Sequence, residues 1–204
     1  LIKAIRASGL VGLGGASFPT HIKFNPKNID EVHTLIVNAA ECEPFITSDH
    51  RLMLEDAEDL IAGCQLLMKF IGQDEGYIGI EENKPDAIEL LQAKTADISD
   101  IDVVVAKTKY PQGAEKMLIK RVMGRQVPRG GLPADVGCVV SNISTTKAIA
   151  DAIKTGMPLI ERVVTVTGER IKKPGNYIVK IGTNVARKST RLNSSHITIS
   201  YAVN

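Results

Sequence analysis

Short β-branched runs that alternate with longer helical periods are the feature that most restricts the fold of this chain. Strands are predicted at His33–Asn38, Gly76–Ile80 and Ile101–Lys107, and a shorter apolar run follows at Cys138–Val140. Between them, apolar residues recur every three or four positions, as they do on the buried face of a helix. Strands that alternate with helices in this way indicate a parallel sheet covered by helices. We therefore predict an α/β fold, namely a Rossmann-like layered domain with a mostly parallel sheet.

The helical and later strand segments divide the chain into three parts. The pattern changes after Arg162, where strand-like runs replace helices, so we predict an α/β domain over residues 1–158 and the start of a small β domain over residues 159–187. Residues 188–204 continue neither pattern. The predicted helices are Arg51–Ile71, Pro85–Ala93, Gly113–Met123 and Ser144–Thr155, and the later predicted strands are Val163–Thr167 and Tyr177–Ile181.

Charge is distributed unevenly along the 204 residues. All 23 acidic residues lie at or before Glu169, so residues 1–169 carry −5 and the remainder carries +7, which together give the formal +2. Aromatic residues are 4% of the chain, and no concentrated basic stripe is expected within residues 1–169, so we predict no nucleic-acid partner. Apolar runs fall short of the ~18 residues of a membrane span. Three widely spaced cysteines predict neither a disulfide framework nor a metal site.

The glycine-rich segment near the start is the most unusual stretch. Four glycines fall within residues 9–15, and Lys23 follows. Such a loop lets backbone N–H groups approach a phosphate or a flat ring, to which a lysine adds positive charge. A dinucleotide fingerprint beginning at Gly12 requires glycine at position 17, where the chain has Ser17. A plain connecting loop therefore stays open as the alternative.

Polar residues follow the first predicted strand. Asn38, Glu41, Cys42 and Glu43 come where that strand ends, and ligands of open α/β sheets bind beyond the carboxyl ends of strands. Carboxylates and an amide there suit ribose hydroxyls or flavin ring nitrogens. A solvated acidic turn remains the alternative, and Cys42 is also consistent with a small buried thiol.

Two predicted helix N-termini lie at the same edge of the sheet. One begins near Gly113 and Glu115, and the other begins near Ser141, Asn142 and Thr145. Each alone is explained by helix capping, whereas together with the glycine loop and the acidic cluster they outline a crevice with anion donors on one side and carboxylates on the other.

Two motifs at this spacing resemble a known family. Gly-Leu-Gly-Gly-Ala-Ser-Phe-Pro-Thr-His-Ile-Lys at 12–23 and Asn-Ala-Ala-Glu-Cys-Glu-Pro-Phe-Ile-Thr-Ser-Asp-His-Arg at 38–51 are similar to the C-subunit of the Rnf ion-translocating electron-transport complex, which is related to the NADH-binding flavoprotein subunit of respiratory complex I. The resemblance covers about residues 1–185, and residues 166–177 are similar to the start of the family's small β-grasp domain. A cobalamin reductase of bacterial microcompartments shares these motifs.

The resemblance implies FMN and NAD(H) as cofactors. Gly12, Gly14 and Gly15 would line the FMN, Lys23 would lie near its phosphate, and Phe18 would stack on the adenine of NAD(H). Asn38 and Cys42 would face the flavin, and Glu41 and Glu43 the flavin or the nucleotide. Gly113 and Glu115 would close over the nucleotide, and Ser141, Asn142 and Thr145 would hold the phosphate. Ala40 and Ala114 depart from the complex I pattern, which has acidic residues there, so the nucleotide contacts transfer less directly than the FMN contacts.

The implied activity is transfer of hydride and electrons between NAD(H) and FMN, for relay to iron–sulfur clusters. Those clusters belong to a cysteine-rich region outside this chain, so we expect the chain to be a fragment of an NADH-linked oxidoreductase, with no catalytic side chain of its own. The implied setting is a peripheral position on the cytoplasmic side of the membrane, beside other subunits that include an iron–sulfur subunit. A cobalamin reductase or a non-catalytic scaffold remains the alternative. Residues 188–204 resemble a recurrent cloning artefact and are expected to be non-native.

Overall fold

The computed structural model describes residues 1–72, 75–169 and 171–184. Four parallel strands form one sheet, β1 (Thr34–Ala39), β2 (Gly76–Glu81), β3 (Ile101–Ala106) and β4 (Cys138–Asn142), in the order β3-β2-β1-β4. The predicted α/β fold with a parallel sheet is confirmed. The chain order reverses between β1 and β4, since β2 and β3 extend the sheet to one side of β1 and β4 lies on the other. Such a switch point leaves a crevice beyond the carboxyl ends of the two strands.

Helices cover both faces of this sheet. The α-helices in chain order are α1 (Ile2–Ala7), α2 (Thr20–Lys23), α3 (Ser48–Glu55), α4 (Ala57–Ile71), α5 (Pro85–Thr95), α6 (Glu115–Met123) and α7 (Ile143–Thr155), and short 3-10 helices lie at Ile29–Glu31 and Pro133–Val136.

Alternating side chains of β1 face two separate cores. Leu35 and Val37 belong to the larger core, which includes residues of α1, α3, α4, α5 and α7. Ile36 points to the opposite face, where it joins a smaller core with Leu118 and Ile119 of α6. Both faces of β1 are therefore buried, which explains its nearly continuous apolar sequence.

The helix predicted over Arg51–Ile71 is two helices. Asp56 adopts φ −126° and ψ 31°, so it ends α3 and precedes α4. Met53, Ala57 and Leu60 nevertheless keep helical spacing across the break and are all buried, which is why the apolar pattern predicts one continuous helix. α6 begins at Glu115 rather than Gly113, because Ala114 has extended backbone with ψ 127°.

A two-stranded antiparallel sheet follows the α/β domain. β5 (Glu161–Val166) pairs with β6 (Gly175–Lys180), where strands are predicted. That this hairpin begins a β-grasp domain, and that the boundary lies at residue 158, stay predictions. The predicted non-native tail, 188–204, lies outside the described residues. Among the described helices none has both the length and the apolar content needed to cross a membrane.

Candidate functional site

A cavity of about 720 Å³ opens beyond the carboxyl ends of β1 and β4. Its size is in the range of ordinary small-molecule sites. The register brings Asn38 at the end of β1 beside Asn142 at the end of β4. All fourteen residues predicted to bind cofactors line this cavity, namely Gly12, Gly14, Gly15, Phe18, Lys23, Asn38, Glu41, Cys42, Glu43, Gly113, Glu115, Ser141, Asn142 and Thr145. The convergence of these residues is a structural finding, and the role of each stays a prediction.

The glycine loop is held against the start of α7. The N–H of Leu13 donates to Oγ1 of Thr145 at 2.8 Å, and the carbonyl of Leu13 accepts from Nη2 of Arg162 at 3.0 Å. A Cβ on Gly14 would lie 3.1 Å from Cβ of Asn142, so the glycine permits this close approach. The backbone at Leu13 is therefore fixed from both sides, by the α/β domain and by β5.

Asn38 connects β1 to the segment that precedes α6. Its Nδ2 donates to the carbonyl of Gly113 at 2.7 Å, and its Oδ1 accepts from the N–H of Ala40 at 3.1 Å. Gly113 packs so closely that an added Cβ would lie 2.3 Å from the carbonyl oxygen of Ala40. We name the segment after β1 that carries Glu41 and Glu43 the acidic loop. These contacts set the width of the cavity between the acidic loop and the segment before α6.

The carboxylate of Glu41 caps the N-terminus of α3. It accepts from the N–H of Asp49 at 2.8 Å and from the N–H of His50 at 3.3 Å. Burial raises the pKa of Glu41, and the nearby charge of Asp49 raises it further. Both oxygens of Glu41 are thus engaged by the helix, whereas the side chain of Glu43 has no ion-pair or hydrogen-bond partner among the described residues.

Asp49, which has no site role in the sequence-based prediction, is the centre of a polar network. It accepts from Nδ2 of Asn142 at 2.8 Å and from the hydroxyl of Ser144. The other polar side-chain atom of Asn142 accepts from the N–H of Thr145 at 3.2 Å, which caps α7. Burial raises the pKa of Asp49. The hydrogen bonds from Ser144 and Asn142 and the charge of Arg162 lower it by less, so the net shift is upward. Asn142 is therefore committed to protein contacts on both sides.

Three cations line the cavity, and one of them, Lys147 of α7, is paired with Asp151. Lys23 of α2 forms an ion pair with Glu115 at the start of α6. Arg162 of β5 lines the cavity, and its buried Nε has no hydrogen-bond partner among the described residues. Arg162 is another functional candidate that the sequence-based prediction omits, because it lies in β5, outside the predicted α/β domain, and no local motif marks it. A buried N–H donor without a partner suits an acceptor oxygen of a bound ligand.

The two raised carboxyl pKa values predict a specific pH dependence. The folded chain holds protons on Glu41 and Asp49 above their ordinary pKa values of 4.5 and 3.8, so stability from these groups is present at low pH and is lost as the pH rises through the raised values. Asp49→Asn removes one such group. Its free energy of unfolding relative to wild type is expected to increase as the pH rises above about 4, by at most about 1.4 kcal/mol per pH unit. Urea unfolding over a series of rising pH values measures it, and a difference that stays flat contradicts the prediction.

Comparison with known proteins identifies the family. Residues 5–151 match the model of the Nuo51 FMN-binding domain. The chain belongs to that family. The match includes the glycine loop, the acidic loop and the first turns of α6 and α7, and it stops before Arg162.

Two relatives with high sequence identity to this chain are C-subunits of ion-translocating complexes. The C-subunit of the proton-translocating ferredoxin:NAD(+) oxidoreductase complex of Clostridium ljungdahlii is 50% identical over 183 residues, which are 90% of this chain and 40% of the relative. The C-subunit of the Na(+)-translocating ferredoxin:NAD(+) oxidoreductase complex of Acetobacterium woodii is 47% identical, over 88% of this chain and 41% of the relative. The chain thus spans about two-fifths of these relatives. The resemblance to the C-subunit of such complexes is confirmed.

The fold also matches an enzyme of known structure. A chain of an NAD+-reducing [NiFe]-hydrogenase in the air-oxidized state superposes with a TM-score of 0.83 and 26% identity, over 94% of this chain and 38% of that chain. Because 94% of this chain is covered, the agreement in fold extends beyond the residues that match the family model.

Proposed function

We propose that this chain binds FMN and NAD(H) in the cavity at the ends of β1 and β4, as part of an NADH-linked oxidoreductase. The observation that carries the proposal is the convergence of all fourteen predicted residues on one cavity at the switch point of a sheet, in a member of an FMN-binding family. When bound, FMN exchanges hydride with nicotinamide and electrons singly with iron–sulfur centres.

The residues present fit such a ligand. Gly14 lets the glycine loop pack against Asn142, and Gly113 lets the segment before α6 pack against Ala40, so both glycines hold walls of the cavity close together. Lys23 and the unpartnered Nε of Arg162 supply cationic donors for a phosphate. Because Asn142 is engaged by Asp49 and by the N–H of Thr145, we assign it the role of positioning the start of α7 rather than of donating to the phosphate.

Separate residues serve the nucleotide in this proposal. Phe18 is 47% exposed beside the cavity, so its ring is available to stack on adenine. Glu43 offers a carboxylate without a partner among the described residues, which suits ribose hydroxyls or the nicotinamide amide. Glu41 orients α3 and holds the acidic loop in place. The protein thereby fixes two rings relative to each other and excludes water from the space between them.

The wider setting is part of the proposal. We place the chain in a membrane-associated ion-translocating complex, on its cytoplasmic side, next to a subunit with iron–sulfur clusters that receives the electrons. Relatives at 46–50% identity that are named as C-subunits of ion-translocating complexes support this setting.

The direct test is a flavin titration of the purified chain. FMN fluorescence is expected to be quenched on binding, and NADH added without oxygen is expected to bleach the visible flavin absorbance. The same titration of the full-length protein shows whether a failure to bind FMN comes from the absence of a further domain or from the absence of a binding site in this chain. Failure of both proteins to bind FMN contradicts the proposal and favours a scaffold.

A lysine variant tests where the phosphate binds. Lys23→Met is expected to weaken FMN binding roughly 10- to 100-fold, since a hydrogen bond to a charged group contributes about 1.5–3 kcal/mol. Binding of riboflavin, which has no phosphate, is expected to change little. Fluorescence titrations of both ligands measure this, with Lys27→Met as the control at an exposed lysine. Equal losses for FMN and riboflavin would contradict a phosphate contact.

A further inference from the structure

A strongly basic surface lies next to the cavity. Seven basic residues and one acid fall within residues 107–129, a formal charge of +6 inside a part of the chain that carries −5 overall. All seven are exposed. The expectation that residues 1–169 contain no concentrated basic stripe is therefore wrong. We name this surface the basic face, and its members are Lys107, Lys109, Lys116, Lys120, Arg121, Arg125 and Arg129.

Packing and hydrogen bonds bring several members of the basic face together. Leu118 and Ile119 turn one side of α6 toward the sheet, which leaves its cations on the solvent side. Nη2 of Arg121 donates to the carbonyl of Val105 at 3.0 Å, and this brings Arg121 to the end of β3, where Lys107 follows. Nζ of Lys116 lies 3.5 Å from the carbonyl oxygen of Pro128, the residue before Arg129.

The cations of the basic face lack carboxylate partners. None of the seven forms an ion pair with a described residue, and the one acid of the segment, Glu115, is paired with Lys23. Elsewhere in residues 1–169, six other lysines and arginines do form ion pairs with acids, namely Lys23, Arg51, Lys84, Lys94, Lys147 and Lys154. The basic face is therefore not neutralised by ion pairs with described residues. A carboxylate does lie near it, since Glu82 accepts from the N–H of Thr108, the residue between Lys107 and Lys109.

Single apolar side chains are interspersed among these cations. Tyr110 is 67% exposed, Met117 is 38% exposed and Leu132 is 64% exposed. Arginine, tyrosine and methionine are enriched in protein interfaces. α6 has no exposed apolar face that could enter a membrane, because its apolar side is buried against the sheet. Tyr110 is the lone aromatic residue within 107–129, which is little for stacking single-stranded nucleic acid.

We propose that the basic face is a docking surface for an acidic protein surface on a neighbouring subunit. Guanidinium groups bind carboxylates in a fixed bidentate geometry, and Arg121 and Arg125 are already oriented by backbone carbonyls. The proposal rests on the proposed function only for its setting, a complex of several subunits. Docking there places the partner beside Tyr110 and Gly113, at one side of the cavity.

Zero-length carbodiimide cross-linking of the purified complex tests the proposal, since this reagent joins lysine amines to carboxylates in direct contact. Lys116 and Lys120 of the full-length protein are expected to cross-link to aspartate or glutamate of another subunit. The combined variant Lys116→Glu, Lys120→Glu and Arg121→Glu is expected to reduce retention of that subunit at least about ten-fold. The control is Lys3→Glu, Lys27→Glu and Lys69→Glu, which changes the charge equally at exposed positions outside the basic face.

The opposing outcomes are distinct. Cross-links to a second copy of this chain would overturn the proposal. So would a combined variant that keeps the subunit but loses binding to anionic vesicles or nucleic acid. Full acetylation of Lys116 and Lys120 in the assembled complex would also overturn it, because both lysines would then be accessible to solvent. FMN content measured on the same variants keeps the two proposals separate. If the subunit is retained but no FMN is bound, only the proposed function is contradicted. If FMN is bound but the subunit is not retained, only the docking proposal is contradicted.

Discussion

Gly113→Ala is expected to reduce FMN affinity at least about 100-fold, to the point where titration detects little binding. The added Cβ would lie 2.3 Å from the carbonyl oxygen of Ala40 and 3.1 Å from Sγ of Cys42. The first of these atoms belongs to the backbone, so no side-chain rotation relieves the overlap. The acidic loop and the segment before α6 must separate, which also strains the hydrogen bond from Asn38 to the carbonyl of Gly113.

The cost to the fold is expected to be smaller than the cost to binding. Overpacking in a well-packed region costs typically about 1–3 kcal/mol, whereas a displaced wall misplaces the whole ligand. Gly175→Ala is the matched control, since its Cβ would meet nothing closer than 3.8 Å and it lies in β6. Fluorescence titration and urea unfolding of both variants measure the two effects. Normal FMN affinity in Gly113→Ala would show that this segment does not bound the flavin.

The convergence of the predicted site follows from rules that operate at the level of the sequence. Parallel strands end at one edge of a sheet, so Asn38 and Asn142 must lie close together once both strands are recognised. The glycine loop is recognisable because glycine tolerates close approach, and a Cβ on Gly14 would indeed crowd Asn142. Ser17 adopts φ +49°, a left-handed conformation that glycine adopts with less strain than serine.

Other features depend on contacts that no local pattern records. The break at Asp56 leaves the apolar spacing intact, so periodicity cannot reveal it. Glu41 is an acid beside a predicted ligand site, yet its oxygens cap α3, because that helix begins within reach of the end of the acidic loop. Arg162 reaches Leu13 across 149 positions of sequence. In each case the tertiary arrangement, rather than residue type or spacing, decides what the side chain does.

The buried ion pair of Glu81 and Lys84 is expected to give the largest change in stability. Glu81 ends β2 with its side chain 1% exposed, and neither carboxylate oxygen has a hydrogen-bond partner among the described residues. Nζ of Lys84 lies 3.8 Å from Oε2 of Glu81, with the lysine side chain 7% exposed. Lys84→Met leaves a buried carboxylate without compensation, which is expected to lower the free energy of unfolding by roughly 3–5 kcal/mol.

The double variant Glu81→Leu with Lys84→Met separates two contributions to the free energy of unfolding, that of the ion pair itself and that of a buried charge left unpaired. Replacing both partners of a buried pair by apolar residues is often neutral or stabilising, so the double variant is expected to regain most of the loss in urea unfolding. Lys154→Met, which removes an exposed partner of Asp59, is the control and is expected to change stability by less than about 0.5 kcal/mol. A double variant no more stable than Lys84→Met would contradict this account.

In these Glu81 and Lys84 variants, the affinity for FMN is expected to respond differently from the free energy of unfolding. Nζ of Lys84 also donates a hydrogen bond of 3.4 Å to the carbonyl oxygen of Glu41, and this bond links the buried ion pair to the acidic loop. The double variant restores charge balance but not this hydrogen bond. Its stability should therefore recover while its FMN affinity stays below that of wild type, and recovery of both together would mean that the pair acts on the fold alone.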